Sequence, residues 1–131
     1  MGDSPEFDVG SIGWMDLTVV NAEQVRAFYE AVVGWKNTPL DMGGYKDFCM
    51  LDPTGTKTIA GICHARGVNA DMPHQWLLYI TVPDLQQSVG RCVSMGGRVI
   101  AGPKTAGSMG KYCVIQDPAG AVAALLEVEK K

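Results

Sequence analysis

Residues 14–20, Trp14-Met15-Asp16-Leu17-Thr18-Val19-Val20, alternate in a way that predicts a strand. Asn21 then stands where a helix cap would, because its side chain can accept a hydrogen bond from an unpaired first-turn amide. Val25, Phe28, Tyr29 and Val32 recur at helical spacing, so residues 22–33 read as a helix with one apolar face. Gly34 follows at the place of a left-handed C-cap. The second half repeats the design. Residues 76–82 read as a strand, Asp84 as a cap, and residues 85–95 as a helix carrying Leu85, Val89, Cys92 and Val93, ended by Gly96-Gly97.

The spacing is regular. Asn21 to Asp84 (84 − 21) and Gly34 to Gly97 (97 − 34) are both 63 residues, and Asp52-Pro53-Thr54-Gly55 returns as Asp117-Pro118-Ala119-Gly120 after 65. A Pro-x-Gly turn sets the backbone angles of a tight strand connection, so matched copies imply a repeat. Strands at 48–51 and 57–63 flank the first turn; strands at 111–115 and 121–128 flank the second. Each half therefore reads as strand, helix and about three strands. The expected fold is α+β, with two βαβββ modules: a tail over 1–10, a first module over 11–66, a linker over 67–75 and a second module over 76–131.

Composition narrows the classes of function. Hydrophobic residues make up 47% of the 131, enough for a core, and 11 Lys+Arg against 14 Asp+Glu leave a net charge of −3. No basic cluster occurs, so neither nucleic acid nor an anionic membrane is an expected partner. The longest apolar runs, such as residues 121–126, fall far short of the ~20 residues that span a bilayer. The start, Met1 to Phe7, lacks the basic and apolar parts of a signal peptide and is compatible with a cloning remnant. Cys49, Cys63, Cys92 and Cys113 form no C-x-x-C pair and sit among apolar neighbours. Reduced thiols in a cytoplasmic protein are expected, rather than disulfides or a four-cysteine zinc site.

The chain resembles the vicinal oxygen chelate superfamily, the glyoxalase, bleomycin-resistance and extradiol-dioxygenase group. The likeness rests on Leu17-Thr18-Val19, Phe28-Tyr29 and Gly34-Trp35 in the first module. In the second it rests on Trp76 with Tyr79, Val82-Pro83-Asp84, Gly96-Gly97 and Asp117-Pro118-Ala119-Gly120-Ala121. It implies an open, barrel-like arrangement of two βαβββ modules around a cavity, and a homodimer. It also implies a divalent metal held by His, Gln or Glu from the first and last strands, acting as a Lewis acid on two substrate oxygens. The matching positions here are Trp14, Leu77, Ala124, and Ile59 or Ala60. None of these can bind a metal, so no metal or other cofactor is expected.

On the face that the resemblance turns toward the cavity, one module presents Trp14, Asp16 and Thr18. The other presents Leu77, Tyr79 and Thr81, with Val122, Ala124 and Leu126 from the last strand. Such an aromatic and aliphatic wall suits an apolar or aromatic small molecule. The candidate ligand-binding residues are Trp14, Asp16, Trp76, Leu77, Tyr79 and Ala124, with Tyr45 and Met109 from the glycine-rich segments 42–45 and 102–110. Asp16 is the candidate catalytic residue, since a carboxylate on an apolar wall loses hydration and suits general acid or base work. His64 and His74 flank the linker and read as solvated; Cys49 and Cys113, on matching strands, read as inert thiols. Three readings stay open: a metal-independent binding protein, an enzyme (lyase, isomerase or dioxygenase) centred on Asp16, and a structural protein whose cavity is filled by side chains.

Overall fold

A computed structural model describes residues 7–128. The chain divides into two compact units, one comprising Met15–Trp76, the other comprising Met1–Trp14 with Leu77–Lys131. Each is a βαβββ module.

The first unit takes β1 (Ile12–Val19) from Met15 onward, then α1 (Ala22–Val33), β2 (Lys36–Asp41), β3 (Lys46–Leu51) and β4 (Thr58–His64). The strand order is β2-β3-β4-β1, antiparallel except for the parallel β1–β4 pair. A parallel pair needs a long crossover, which α1, β2 and β3 supply. Ala22 of α1 packs on Phe48, Met50 and Ile62 of the sheet, and Val25, Tyr29, Trp35 and Trp76 close this core. Gly34 ends α1 at φ 77°, donating its N–H to Glu30, a conformation that a residue with a Cβ resists.

The second unit repeats the plan with β5 (Trp76–Thr81), α2 (Leu85–Ser94), β6 (Arg98–Thr105), β7 (Gly110–Gln116) and β8 (Val122–Val128). Its order is β6-β7-β8-β5, with β5 parallel to β8. Leu85, Cys113 and Leu125 form the core under α2, joined by Ile80, Val82, Val89 and Ile115. Residues before β1 also belong to this unit: Gly10 donates to Thr81 O (2.8 Å), and Thr81 N donates to Ser11 O (2.9 Å).

Three expectations need correction, and one gains a detail. Asn21 does not cap α1; its side-chain amide instead donates to Gln24 Oε1 at 3.0 Å. Nor is the α1 stripe all buried, for Phe28 and Val32 are 55% and 60% exposed while Val25 and Tyr29 face the core. Cys49 and Cys113 lie on matching strands but opposite faces: Phe48 and Met50 point under α1, so Cys49 between them points away, whereas Cys113 lies beneath α2. The remaining correction concerns register. Asp16 pairs with Gly61 in β1–β4, as Tyr79 pairs with Ala124 in β5–β8. The counterpart of Ala124 is therefore Gly61, not Ile59 or Ala60. The β3–β4 ladder shifts register at Met50/Leu51, and its turn closes from Asp52 to Lys57 where the other closes from Asp117 to Ala121. Equal counting from the two Asp-Pro turns therefore misses by two residues.

Candidate functional site

Strand alternation sends one set of side chains under each helix and the other set to the opposite sheet face. On the first unit's face away from α1 lie Asp16 and Thr18 of β1, Asp47 and Cys49 of β3, and Cys63 of β4. Asp47 is 4% exposed and is held by the end of β4: its Oδ1 accepts the His64 backbone N–H at 2.8 Å, with His64 Nδ1 at 3.3 Å from the same oxygen. A buried carboxylate needs such donors to offset its lost hydration. Burial, followed by the nearby negative charges of Asp16 and Asp47, pushes the Cys63 thiol well above its ordinary range. Cys63 is therefore a neutral thiol and no nucleophile.

His64 is not solvated as expected; its side chain is 13% exposed and its ring lies edge-on to Tyr45, with centroids 5.4 Å apart. Tyr45 in turn carries the Arg66 guanidinium 4.0 Å above its ring. The segment 42–45 is a tight hairpin turn closed by Met42 N–H to Tyr45 O at 2.8 Å. Asp47 escaped the sequence reading, although its alternation with Phe48 and Met50 carried the signal.

In the second unit, the face away from α2 is apolar. Leu77 (1% exposed), Tyr79 (6%) and Thr81 (3%) of β5 stand beside Ala124 and Leu126 of β8, followed by Val114 and Tyr112 of β7. The rings of Tyr79 and Tyr112 meet at an angle of 64° with centroids 5.7 Å apart. The Thr81 hydroxyl is buried and has no hydrogen-bond partner among the described residues.

Within the second unit Leu77, Tyr79 and Ala124 thus share one sheet face, and within the first unit Asp16 shares one with Asp47 and Cys63. Trp76 lies elsewhere, in the aromatic core under α1. Its indole N–H donates to the Tyr29 hydroxyl at 2.9 Å, and both rings meet Trp35. Trp14 is half-buried in β1, and Met109 half-buried at the end of the 3₁₀ turn Gly107–Met109. His74 is exposed.

Residues 11–125 match the model of the Glyoxalase/Bleomycin resistance protein/Dioxygenase superfamily. "Putative glyoxylase CFP32" of Mycobacterium tuberculosis is 28% identical over 120 residues, covering 92% of this chain and 45% of that protein. "Anthracycline biosynthesis protein DnrV" of Streptomyces peucetius is 28% identical over 131 aligned residues, covering 91% and 47%. The chain thus spans about half the length of the curated relatives it matches. Among solved structures, methylmalonyl-CoA epimerase of Streptomyces coelicolor superposes with a TM-score of 0.54 at 11% identity, covering 94% of this chain and all of that one. That likeness concerns the fold.

The side chains at the positions that the resemblance gives to a metal carry no donor for one. Trp14, Gly61, Leu77 and Ala124 offer no imidazole, carboxylate or thiolate, the donors that bind divalent ions in proteins. Among the described residues, no group of three or more His, Cys, Asp or Glu is placed to hold a metal ion. The donor set does not fit the metal. No helix of the described residues is long and apolar enough to cross a membrane.

Proposed function

We propose that this chain, which belongs to the Glyoxalase/Bleomycin resistance protein/Dioxygenase superfamily, binds an apolar or aromatic small molecule without a metal ion, on the second unit's sheet face turned away from α2. One observation carries the reading: all four positions where the fold would present metal ligands hold Trp14, Gly61, Leu77 and Ala124. Apolar side chains there replace coordination with contact area. The wall of Leu77, Tyr79, Val114, Ala124 and Leu126 suits an aromatic body, since tyrosine supplies both a flat face and a polar tip. The buried Thr81 hydroxyl would take a ligand oxygen as its missing partner. A relative named for anthracycline biosynthesis accords with an aromatic ligand.

The test pairs metal analysis with a binding assay. Protein reloaded with zinc, nickel, manganese or ferrous iron and then dialysed is expected to retain no stoichiometric metal by mass spectrometry. Quenching of tryptophan fluorescence by 1,4-naphthoquinone is expected to saturate, to be unchanged by EDTA, and to weaken about tenfold in Tyr79→Ala. Stoichiometric metal with EDTA-sensitive binding would overturn the reading.

Asp16 favours a second reading, an enzyme acting through that carboxylate. Asp16 shares a face with Asp47, and its charge is felt at the Cys63 thiol. Under this reading Asp16→Asn abolishes turnover of a bound compound while its affinity stays within about threefold. A homodimer is proposed as well, checked by light scattering for twice the 14.0 kDa chain mass.

A further inference from the structure

We infer a second small-molecule site on the other side of the second unit's sheet, in the groove between α2 and the β6–β7 ladder, and we assign it to a small amphipathic anion of the medium-chain carboxylate kind. The groove encloses about 380 Å³, within the ~300–1,000 Å³ of ordinary ligand pockets. Leu85 and Val89 of α2 form one wall, Val99 and Pro103 of β6 the other, and Cys113 the floor.

The backbone explains why space remains there. The β6–β7 ladder shifts register between Ala101 and Lys104, so β6 bulges beside the groove. Gly102 makes the bulge possible. Its φ is +100°, and a Cβ there would lie 2.9 Å from Tyr112 O and 3.1 Å from Cys113 Cα. Pro103, the next residue, is exposed and lines the groove.

The charge at the mouth selects the ligand. Lys111 lines the groove with a side chain 59% exposed, and its ammonium lies 3.9 Å from Glu127 Oε2, beyond hydrogen-bond distance. The other Glu127 oxygen is occupied, accepting the Leu85 N–H at 2.7 Å at the start of α2. Glu127 is thus anchored to the helix, and Lys111, ion-paired with it at 3.9 Å but not hydrogen-bonded to it, keeps ammonium N–H groups for an incoming anion. An apolar body against Val89, Val99 and Cys113 with its carboxylate on Lys111 satisfies both parts of the groove. A charge-assisted hydrogen bond at its rim fixes the orientation. This site lies on the helix side of the sheet and does not depend on the function proposed above.

The test is an NMR titration of the ¹⁵N-labelled full chain with octanoate and, separately, 1-octanol. Both ligands are expected to shift the amides of Val89, Val99, Lys111 and Cys113 in a saturable way. Lys111→Met, a surface change that leaves the core intact, is expected to weaken octanoate about tenfold while octanol stays within twofold. Val89→Trp, which fills the groove, is expected to remove both. The site is overturned if the shifts fall instead around Tyr79 and Thr81, or if no saturable shift occurs. Equal affinities of octanoate for the native chain and Lys111→Met would overturn the anion assignment.

Discussion

The two modules share one backbone plan and differ in almost everything their side chains do. α2 is capped twice: Asp84 accepts the Gln87 N–H at 3.0 Å, and Glu127 reaches across from β8 to the Leu85 N–H. α1 begins with Asn21, whose side chain bonds Gln24 and caps nothing. α1 instead draws on packing, through Tyr29 and the two tryptophans beneath it. The sheet faces away from the helices diverge as well. The first carries Asp16, Asp47, Cys49 and Cys63; the second carries Leu77, Tyr79, Ala124 and Leu126. A repeated pattern of turns and apolar alternation preserves a ladder, but it leaves the chemistry of each face free to change.

The largest expected contrast lies in the cores. Met50 is fully buried, whereas its repeat partner Ile115, 65 residues on, is half-buried. Met50→Ala should therefore cost about 3 kcal/mol of unfolding free energy, and Ile115→Ala about half of that, read by urea denaturation. Equal losses would mean that the two helix–sheet layers are packed alike. Caps come next. Asp84→Ala should destabilise by about 1 kcal/mol, while Asn21→Ala should change stability by only a few tenths, since no backbone amide loses its partner.

The smallest effect is absent at neutral pH. Cys63 has a thiol pKa raised above 9.0 by burial and the neighbouring carboxylates, and its counterpart opposite Thr81, Leu126, does not titrate. A raised folded-state pKa stabilises fully below the unfolded value and fades as pH climbs past it. Stability should thus hold at pH 8 and decline above pH 9. The decline should be shallower in Cys63→Ala, measured by urea unfolding at pH 8 and pH 10. A parallel decline in both proteins would show that Cys63 ionises as readily folded as unfolded.

Much of the fold was legible in the sequence because it rests on local rules. Both helices, the Gly34 cap, the Asp84 cap and the two Asp-Pro turns follow from periodicity and turn chemistry, and they appear where expected. The candidate site was legible only in part. Parity grouped Leu77, Tyr79 and Ala124 correctly on one face, since alternation along a strand is a property of the strand itself. Trp76 was misplaced by the same logic applied too loosely: one residue from Leu77, it points to the other face, and its indole belongs to Tyr29.

What the sequence by itself determined is the duplicated βαβββ plan and the lack of ligating side chains at Trp14, Leu77 and Ala124, for these depend only on residue type and spacing. What only the tertiary structure decided are features set by partners distant along the chain. Gly61 rather than Ile59 or Ala60 faces the first-module position because the turn after Asp52 is one residue longer and the β3–β4 ladder shifts by one more. Asp47 is buried because the end of β4 brings it the His64 amide. Gly102 takes its positive φ where β6 passes close to the Tyr112 carbonyl, beside the groove that Lys111 lines. In each case the energy resides in a cross-strand contact, and such contacts are fixed by the ladder rather than by distance along the sequence.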